Sequence, residues 1–159
     1  MSRVTPCLWF NGTAEEAARF YAGLIPDSRV DRVNASPVDT PSGPANSVLT
    51  VEFTLRGQPF LGLNGGPHFK FNEAVSFVLD CADQAEVDRY WANLGEGGQH
   101  SRCGWLKDRY GLSWQIVPRE ALDMFRDPDG ARAAGAMTAM MHMAKLDLAE
   151  IRCAFEGAA

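Results

Sequence analysis

At 159 residues, 46% hydrophobic and 22% charged, the chain has the make-up of an ordinary globular protein and the length of one domain or two half-domains. Its 15 Lys and Arg against 20 Asp and Glu leave a net charge of −5 with no basic cluster, which excludes nucleic acid as the main partner. Cys7, Cys81, Cys103 and Cys153 lie far apart, with neither a CxxC pair nor Cys/His spacing, so reduced thiols are expected and a zinc site is not.

The opening MSRVTPCLWFNG lacks an apolar run of signal-peptide length, and no later segment could span a bilayer; a cytoplasmic protein with no membrane partner is expected. CLWF reads as a short strand. Thr13, with Glu16 three residues on, then opens a helical run to Leu24, a pairing that satisfies free N–H groups in a helix's first turn. SRVDRVNAS reads as a strand, PVDTPSGPANS as a Pro-rich loop, VLTVEFTL as an alternating strand, RGQ as a turn and PFLGLN as an apolar strand. The same order follows again. FVLDC is a strand, Asp83 and Glu86 open a helix to Leu94, and GEGG is a turn. A strand is predicted from about Gln99 to Leu106, then the turn KDRYG and the strand LSWQIVP. From Arg119 onward the pattern is helical, with a Pro-Asp-Gly break after REALDMFRD.

Six pairs stand 70 positions apart: Thr13/Asp83, Glu16/Glu86, Arg19/Arg89, Phe20/Tyr90, Tyr21/Trp91 and Leu24/Leu94. One pair could be chance. Six in register indicate a duplicated β-α-β-β-β unit whose helices each lay an aromatic stripe on a sheet.

PCLWFNGTAEEAARFY, VEFTLRGQPFLGLNGGP and CGWLKDRYGLSWQIVP resemble the PhnB-like branch of the vicinal-oxygen-chelate superfamily, often labelled 3-demethylubiquinone-9 3-methyltransferase. AMMHMAKLDLAEIRCAF is similar to that branch's helical tail. The superfamily includes glyoxalase I, extradiol dioxygenases, and bleomycin and fosfomycin resistance proteins. The resemblance implies an α+β fold: two βαβββ modules, at about 1–66 and 73–118, whose sheets curl around one cavity. They would form one domain over 1–118, followed by a helical tail over 119–159. Because one such cavity serves many chemistries, the fold alone does not decide the function.

Metal-using members of the superfamily place ligands on the first and last strands of each module. The strand-final glutamate lies four residues past the glycine of an Asp-x-x-Gly turn. Here that turn is Asp108 to Gly111, and Gln115 stands at the glutamate's position. The other three positions fall at about Pro6, Ser76 and Gly62, while His68, His100 and His142 match none of them. Proline, glycine, serine and a neutral amide do not make a His/Glu site, so no metal is expected.

If Pro6 faces the cavity, strand alternation turns Leu8 and Phe10 the same way, and Ser76 and Val78 follow by the 70-residue offset. Leu49, Val51, Phe53 and Leu55 should face the helices, leaving Thr50, Glu52 and Thr54 to the cavity or solvent. Gly62 and Asn64 share a face, and, if the loop between the last two strands is the four residues DRYG, Trp105 and Trp114 should pair under the helix on the side opposite Gln115. The expected ligand-binding set is thus Pro6, Leu8, Phe10, Asn64, Ser76 and Gln115, an apolar cavity with few polar groups, suited to a small organic ligand. Gln115 is either an orienting partner for that ligand or a bond to neighbouring backbone or water. Glu52 is the one carboxylate with an inward direction and so the candidate catalytic base.

The leading reading is a metal-free binding module for a small hydrophobic or aromatic compound. The alternative is an enzyme, either the methyltransferase of the branch's label or a lyase or isomerase using Glu52. A third is an interaction protein working through its tail. No cofactor is implied, since the glycines of LNGGP and GEGGQ follow no dinucleotide-type βαβ pattern. The Ala/Met run AGAMTAMMHMA offers an apolar surface for packing or for a homodimer contact.

Overall fold

A computed structural model describes residues 4–157. The chain divides into two compact units, one ending at Phe71 and the other beginning at Asn72. Each holds one βαβββ module, so the architecture is α+β with two four-stranded mixed sheets and C-terminal helices.

The first unit runs β1 (Cys7–Phe10), α1 (Ala14–Leu24), β2 (Arg29–Ala35), β3 (Val48–Leu55) and β4 (Gln58–Asn64). The spatial order is β1-β4-β3-β2; β1 lies parallel to β4, and the other pairs are antiparallel. Ala14, Ala17, Ala18 and Tyr21 are buried, the i, i+3, i+4, i+7 stripe of an amphipathic helix. That stripe packs on Val51 and Phe53 of β3, with the Tyr21 and Phe53 rings 6.4 Å apart and Phe53 stacked on Phe60 at 5.3 Å. Small side chains bring helix and sheet close: a Cβ on Gly62 would lie 3.3 Å from that of Ala14.

The expected cap of α1 needs correction. Thr13 makes no side-chain cap bond. Asn64, from β4, accepts from the Ala14 N–H at 3.0 Å and donates to the Val48 carbonyl at 2.9 Å.

The second unit runs β5 (Ser76–Cys81), α2 (Gln84–Gly95), β6 (Gln99–His100), β7 (Trp105–Lys107) and β8 (Ser113–Pro118), in spatial order β5-β8-β7-β6. Here the cap is as expected: Asp83 accepts from the Glu86 N–H, and Glu86 reaches back to the Ala82 N–H, both at 2.9 Å. Val87, Tyr90 and Leu94 are fully buried, so Tyr90 takes the position under α2 that Tyr21 holds under α1. The aligned partner of Tyr21, Trp91, instead stacks on His100.

The single strand predicted from Gln99 to Leu106 is broken at residues 101–104. Cys103 and Gly104 there adopt φ of +56° and +78°, and their N–H groups donate to the Met143 and Ala144 carbonyls at 2.8 Å. The strand breaks where the tail docks. That tail comprises α3 (Arg119–Met124), α4 (Gly130–Met141) and α5 (Leu148–Gly157), closed around Ala121, Met124, Leu146, Ile151 and Phe155 together with Val117 of β8. Ion pairs Lys145–Asp88 at 2.5 Å and Arg152–Glu120 at 2.7 Å hold its surface.

Candidate functional site

Each sheet has one face under its helix and one far face, and strand register assigns every residue to one of them. In the first unit Leu8 and Phe10 are buried, and they pair with Gly62 and Asn64 on the helix side. The expectation that Leu8, Phe10 and Asn64 line a ligand cavity is therefore corrected: Leu8 and Phe10 are core, and Asn64 is the helix cap. Pro6, half-buried, precedes β1, and its carbonyl accepts from the Leu61 N–H at 2.9 Å.

The far face of this unit is instead built from Cys7, Trp9, Leu61, Leu63, Thr50 and Glu52. Trp9 is held there by its indole N–H, which donates to the Gly66 carbonyl at 2.8 Å, and by the Phe69 ring at 4.9 Å. Partial burial pushes the Cys7 thiol up from its ordinary value. Glu52 is exposed, lies opposite Arg32 and Leu61, and accepts from the Asn34 amide at 3.3 Å. A cleft of about 410 Å³ runs beside it, lined by Arg29, Asp31, Pro59 and Leu61 among others.

The physical reason for the reversal is one residue. Asn11, Gly12 and Thr13 join β1 to α1, whereas only Ala82 and Asp83 join β5 to α2. The helices keep the 70-residue offset, but the strands before them do not, and a one-residue slip sends every side chain to the opposite face. Leu8 thus corresponds in direction to Leu79, which is buried, rather than to Val78, which is 56% exposed.

In the second unit the far face carries Ser76 and Val78 from β5, Ser113 and Gln115 from β8, and Trp105 and Lys107 from β7. The structure brings Gln115 and Ser76 together: the amide Nε2 donates to Ser76 Oγ at 2.9 Å. Val78 and Trp105 flank Gln115 in register on either side. Trp105 is a second correction. It was expected beside Trp114 under the helix, but Lys107 pairs with Ser113, so the loop is the five residues 108–112 and Trp105 lands opposite Gln115. Trp114 alone is core, ringed by Phe77 at 5.8 Å.

Asp108 fixes that loop. Its carboxylate is buried and accepts from the Tyr110 N–H at 2.8 Å, the Leu112 N–H at 3.0 Å and the Trp114 indole at 2.9 Å. The aspartate of the Asp-x-x-Gly turn is thus what positions β8 and its glutamine.

Beside Trp105, the register partner of Gln115, a cavity of about 450 Å³ is lined by Trp105, Lys107, Ser113, Glu73, Arg102 and Cys103, with Gln99, Ser101 and Leu106; Gln115 and Ser76 are not among its lining residues. Lys107 Nζ lies 2.5 Å from Glu73 Oε1, and its ammonium holds the Glu73 carboxyl below its usual range. Sequence reasoning missed Ser113, Trp105 and Lys107. Their signal was available, because all three alternate with residues on Gln115's own face once the loop length is known.

The donors at the superfamily's metal positions do not fit a divalent cation. Gly62 faces the helix, and Gln115 and Ser76 are a neutral amide and a hydroxyl already bonded to each other. Among the described residues no three His, Cys, Asp or Glu side chains converge. No described helix is long and apolar enough to cross a membrane.

Comparison with known proteins follows the same lines. The sequence matches the 3-demethylubiquinone-9 3-methyltransferase family over residues 2–117. A PhnB protein from Bacillus cereus is 30% identical, with a TM-score of 0.67 over 74% of this chain and 99% of that one. A Pseudomonas aeruginosa protein shares the fold at 20% identity and a TM-score of 0.56, covering 74% of this chain and 98% of its own. A glyoxylase/bleomycin resistance protein/dioxygenase domain from Frankia aligns at 13% identity and a TM-score of 0.47, over 75% of this chain and 99% of its own. No curated protein matches. The chain belongs to the 3-demethylubiquinone-9 3-methyltransferase family, in its PhnB-like branch, and shares the fold of the Bacillus cereus PhnB protein.

Proposed function

We propose that the protein is a metal-free small-molecule-binding module whose site lies on the far face of the second unit and takes a small hydrophobic or aromatic ligand. The observation that carries this reading is the Gln115–Ser76 hydrogen bond, set between exposed Val78 and half-buried Trp105 beside a cavity of about 450 Å³. A few fixed polar groups within apolar and aromatic surface are what orient a small ligand. Ser76 and Gln115 serve as its hydrogen-bond partners, and Trp105 joins them as the stacking surface. The metal-free part of the proposal rests on the donor chemistry at Gln115, Ser76 and Gly62.

Methyl transfer, which the family's name denotes, is the competing reading. Nucleotide-type methyl donors are commonly cradled where a Gly-rich turn joins a parallel strand to a helix. The turns after β1 and β5 are Asn11–Gly12–Thr13 and Ala82–Asp83, neither of them Gly-rich. Glu52, the other catalytic candidate, is an exposed carboxylate on the first unit.

A thermal-shift panel of small aromatics, divalent metals and S-adenosylmethionine tests the proposal. Stabilisation by aromatics, abolished by Trp105→Ala, is the expected result. Stabilisation by S-adenosylmethionine, or by a metal that Gln115→Leu removes, would overturn it. We also propose a homodimer, supported by the exposed Met137 and Met141 of α4. Sedimentation as a 17.4 kDa species at micromolar concentration would defeat that part.

A further inference from the structure

The cavity beside Trp105 contains one group that the binding proposal leaves unexplained. Ser113 is only 1% exposed, lines the cavity, and its Oγ has no hydrogen-bond partner among the described residues. Its direct register partner on β5 is Ser76, but the Ser76 hydroxyl is engaged by Gln115 one pleat along. On its other side lies Lys107. Buried polar groups are satisfied in native proteins, so an orphan hydroxyl on a residue that lines a cavity points to a partner that arrives from outside, either water or ligand.

Charge decides what kind of partner. Two cations, Arg102 and Lys107, and one carboxylate, Glu73, line the cavity. Glu73 is paired with Lys107, while Arg102 has no ion pair among the described residues. The cavity thus carries one positive charge in excess, in a chain whose net charge is −5. A local surplus against the overall sign favours an anion. Trp105, half-buried on the same lining, offers a flat ring face for a planar group.

Resting on the reading of this face as a ligand site, we infer that its ligand is a small planar aromatic monoanion of the aryl carboxylate class. The ring stacks on Trp105, and the carboxylate accepts from Ser113 Oγ and pairs with Arg102. A guanidinium matches a carboxylate's two oxygens, and a hydroxyl that donates to an ionised acceptor makes a short, strong bond. The volume admits a molecule of one or two rings.

Benzoate is the probe, with benzamide as its neutral counterpart of the same shape and cyclohexanecarboxylate as the non-planar acid. Titrated into the full chain and followed by the tryptophan indole N–H signals in NMR, benzoate should bind at least tenfold more tightly than either. Arg102→Gln, an exposed position, should weaken benzoate roughly tenfold while leaving benzamide unchanged, and Ser113→Ala should weaken benzoate roughly tenfold and benzamide by less. Equal binding of benzoate and benzamide, or full benzoate affinity in either variant, would sink the anion assignment and leave the binding proposal standing. If none of the three probes binds, both fall.

Discussion

Gln115 and Ser76 are not register partners, yet they are bonded. Gln115 lies opposite Val78 across the parallel β5–β8 pair, and its amide reaches diagonally to Ser76 Oγ at 2.9 Å. The diagonal bond keeps the amide turned along the sheet and holds it on the far face.

Replacing Gln115 with leucine removes that bond without stranding a deeply buried group, since Ser76 is only half-buried and water can reach it. The urea midpoint should therefore correspond to a loss of less than about 1 kcal/mol. Affinity for an aromatic ligand found by screening should fall roughly ten- to a hundredfold, the effect of about 1–3 kcal/mol. A variant that unfolds while its folded fraction binds normally would make the glutamine structural.

Asp108 predicts the opposite balance. Its buried carboxylate satisfies two backbone N–H groups and an indole. Asp108→Ala should cost about 3 kcal/mol or more, because those donors are left unpaired in the interior. Denaturant unfolding checks this. A loss below about 1 kcal/mol would mean that the loop rearranges to pair them elsewhere.

Gly104 and Gly111 form a matched test of backbone strain against steric clash. Both have positive φ, +78° and +86°, but a Cβ on Gly104 would meet the Ile116 carbonyl at 2.7 Å, while one on Gly111 would meet nothing within 4 Å. Gly111→Ala should cost about 1 kcal/mol and Gly104→Ala at least about twice that. In Gly104→Ala, amide exchange should rise in α4 and α5, since the Gly104 N–H binds the Ala144 carbonyl.

Acid should loosen the tail before the sheets. Hydrogen bonds from Lys145 and then Gln84 lower the Asp88 carboxyl, and the bond from Arg152 lowers that of Glu120. Carboxyls that are more acidic in the folded state stabilise it above their unfolded values and lose that contribution as pH falls through the folded ones. Exchange protection in α5 should thus begin to decline below about pH 4, modestly because both pairs are solvent-exposed, and more weakly still in high salt. Asp88→Asn should remove the part of that pH dependence due to the Lys145 pair. An unchanged profile in that variant would locate the effect elsewhere.

Chelation should leave the melting temperature unchanged, and elemental analysis of protein purified without added metal should show far less than one equivalent. Gln115→Glu alone should not create a site, because Ser76 and Gly62 supply no second strong ligand. A stoichiometric metal in the wild-type chain would contradict the proposal.

The order of elements was legible in the sequence because caps, turns and apolar runs are local signals. The capping pair Asp83/Glu86 followed from such signals, whereas the 70-residue offset from Pro6, which the strands do not keep, places Ser76, and the family resemblance places Gln115. Side assignment in β1 and β7 was not legible. Whether Leu8 or Trp9 faces the helix depends on the parity of the connection before α1, and whether Trp105 joins Trp114 or Gln115 depends on a loop of five residues rather than four. The cap of α1 failed for a different reason: Asn64 is 50 residues from the amide it satisfies, so no local pattern announces it. The face of Ser113, two residues before Gln115, was legible, but its orphan hydroxyl was not, because an unpartnered group is defined by what fails to approach it.

The extra residue between β1 and α1 also limits how the two halves of the chain can be compared or recombined. An alignment anchored on the helices is correct along α1 and α2 and wrong by one along the strands that precede them. A chimaera joining β1 to α2 through the shorter Ala82–Asp83 link would turn Leu8 and Phe10 outward and drive Cys7 and Trp9 beneath the helix. Grafting residues between halves, or aligning them, therefore requires a gap at Asn11–Thr13 in addition to those in the strand-to-strand loops, where 12 and two residues in the first half answer to four and five in the second.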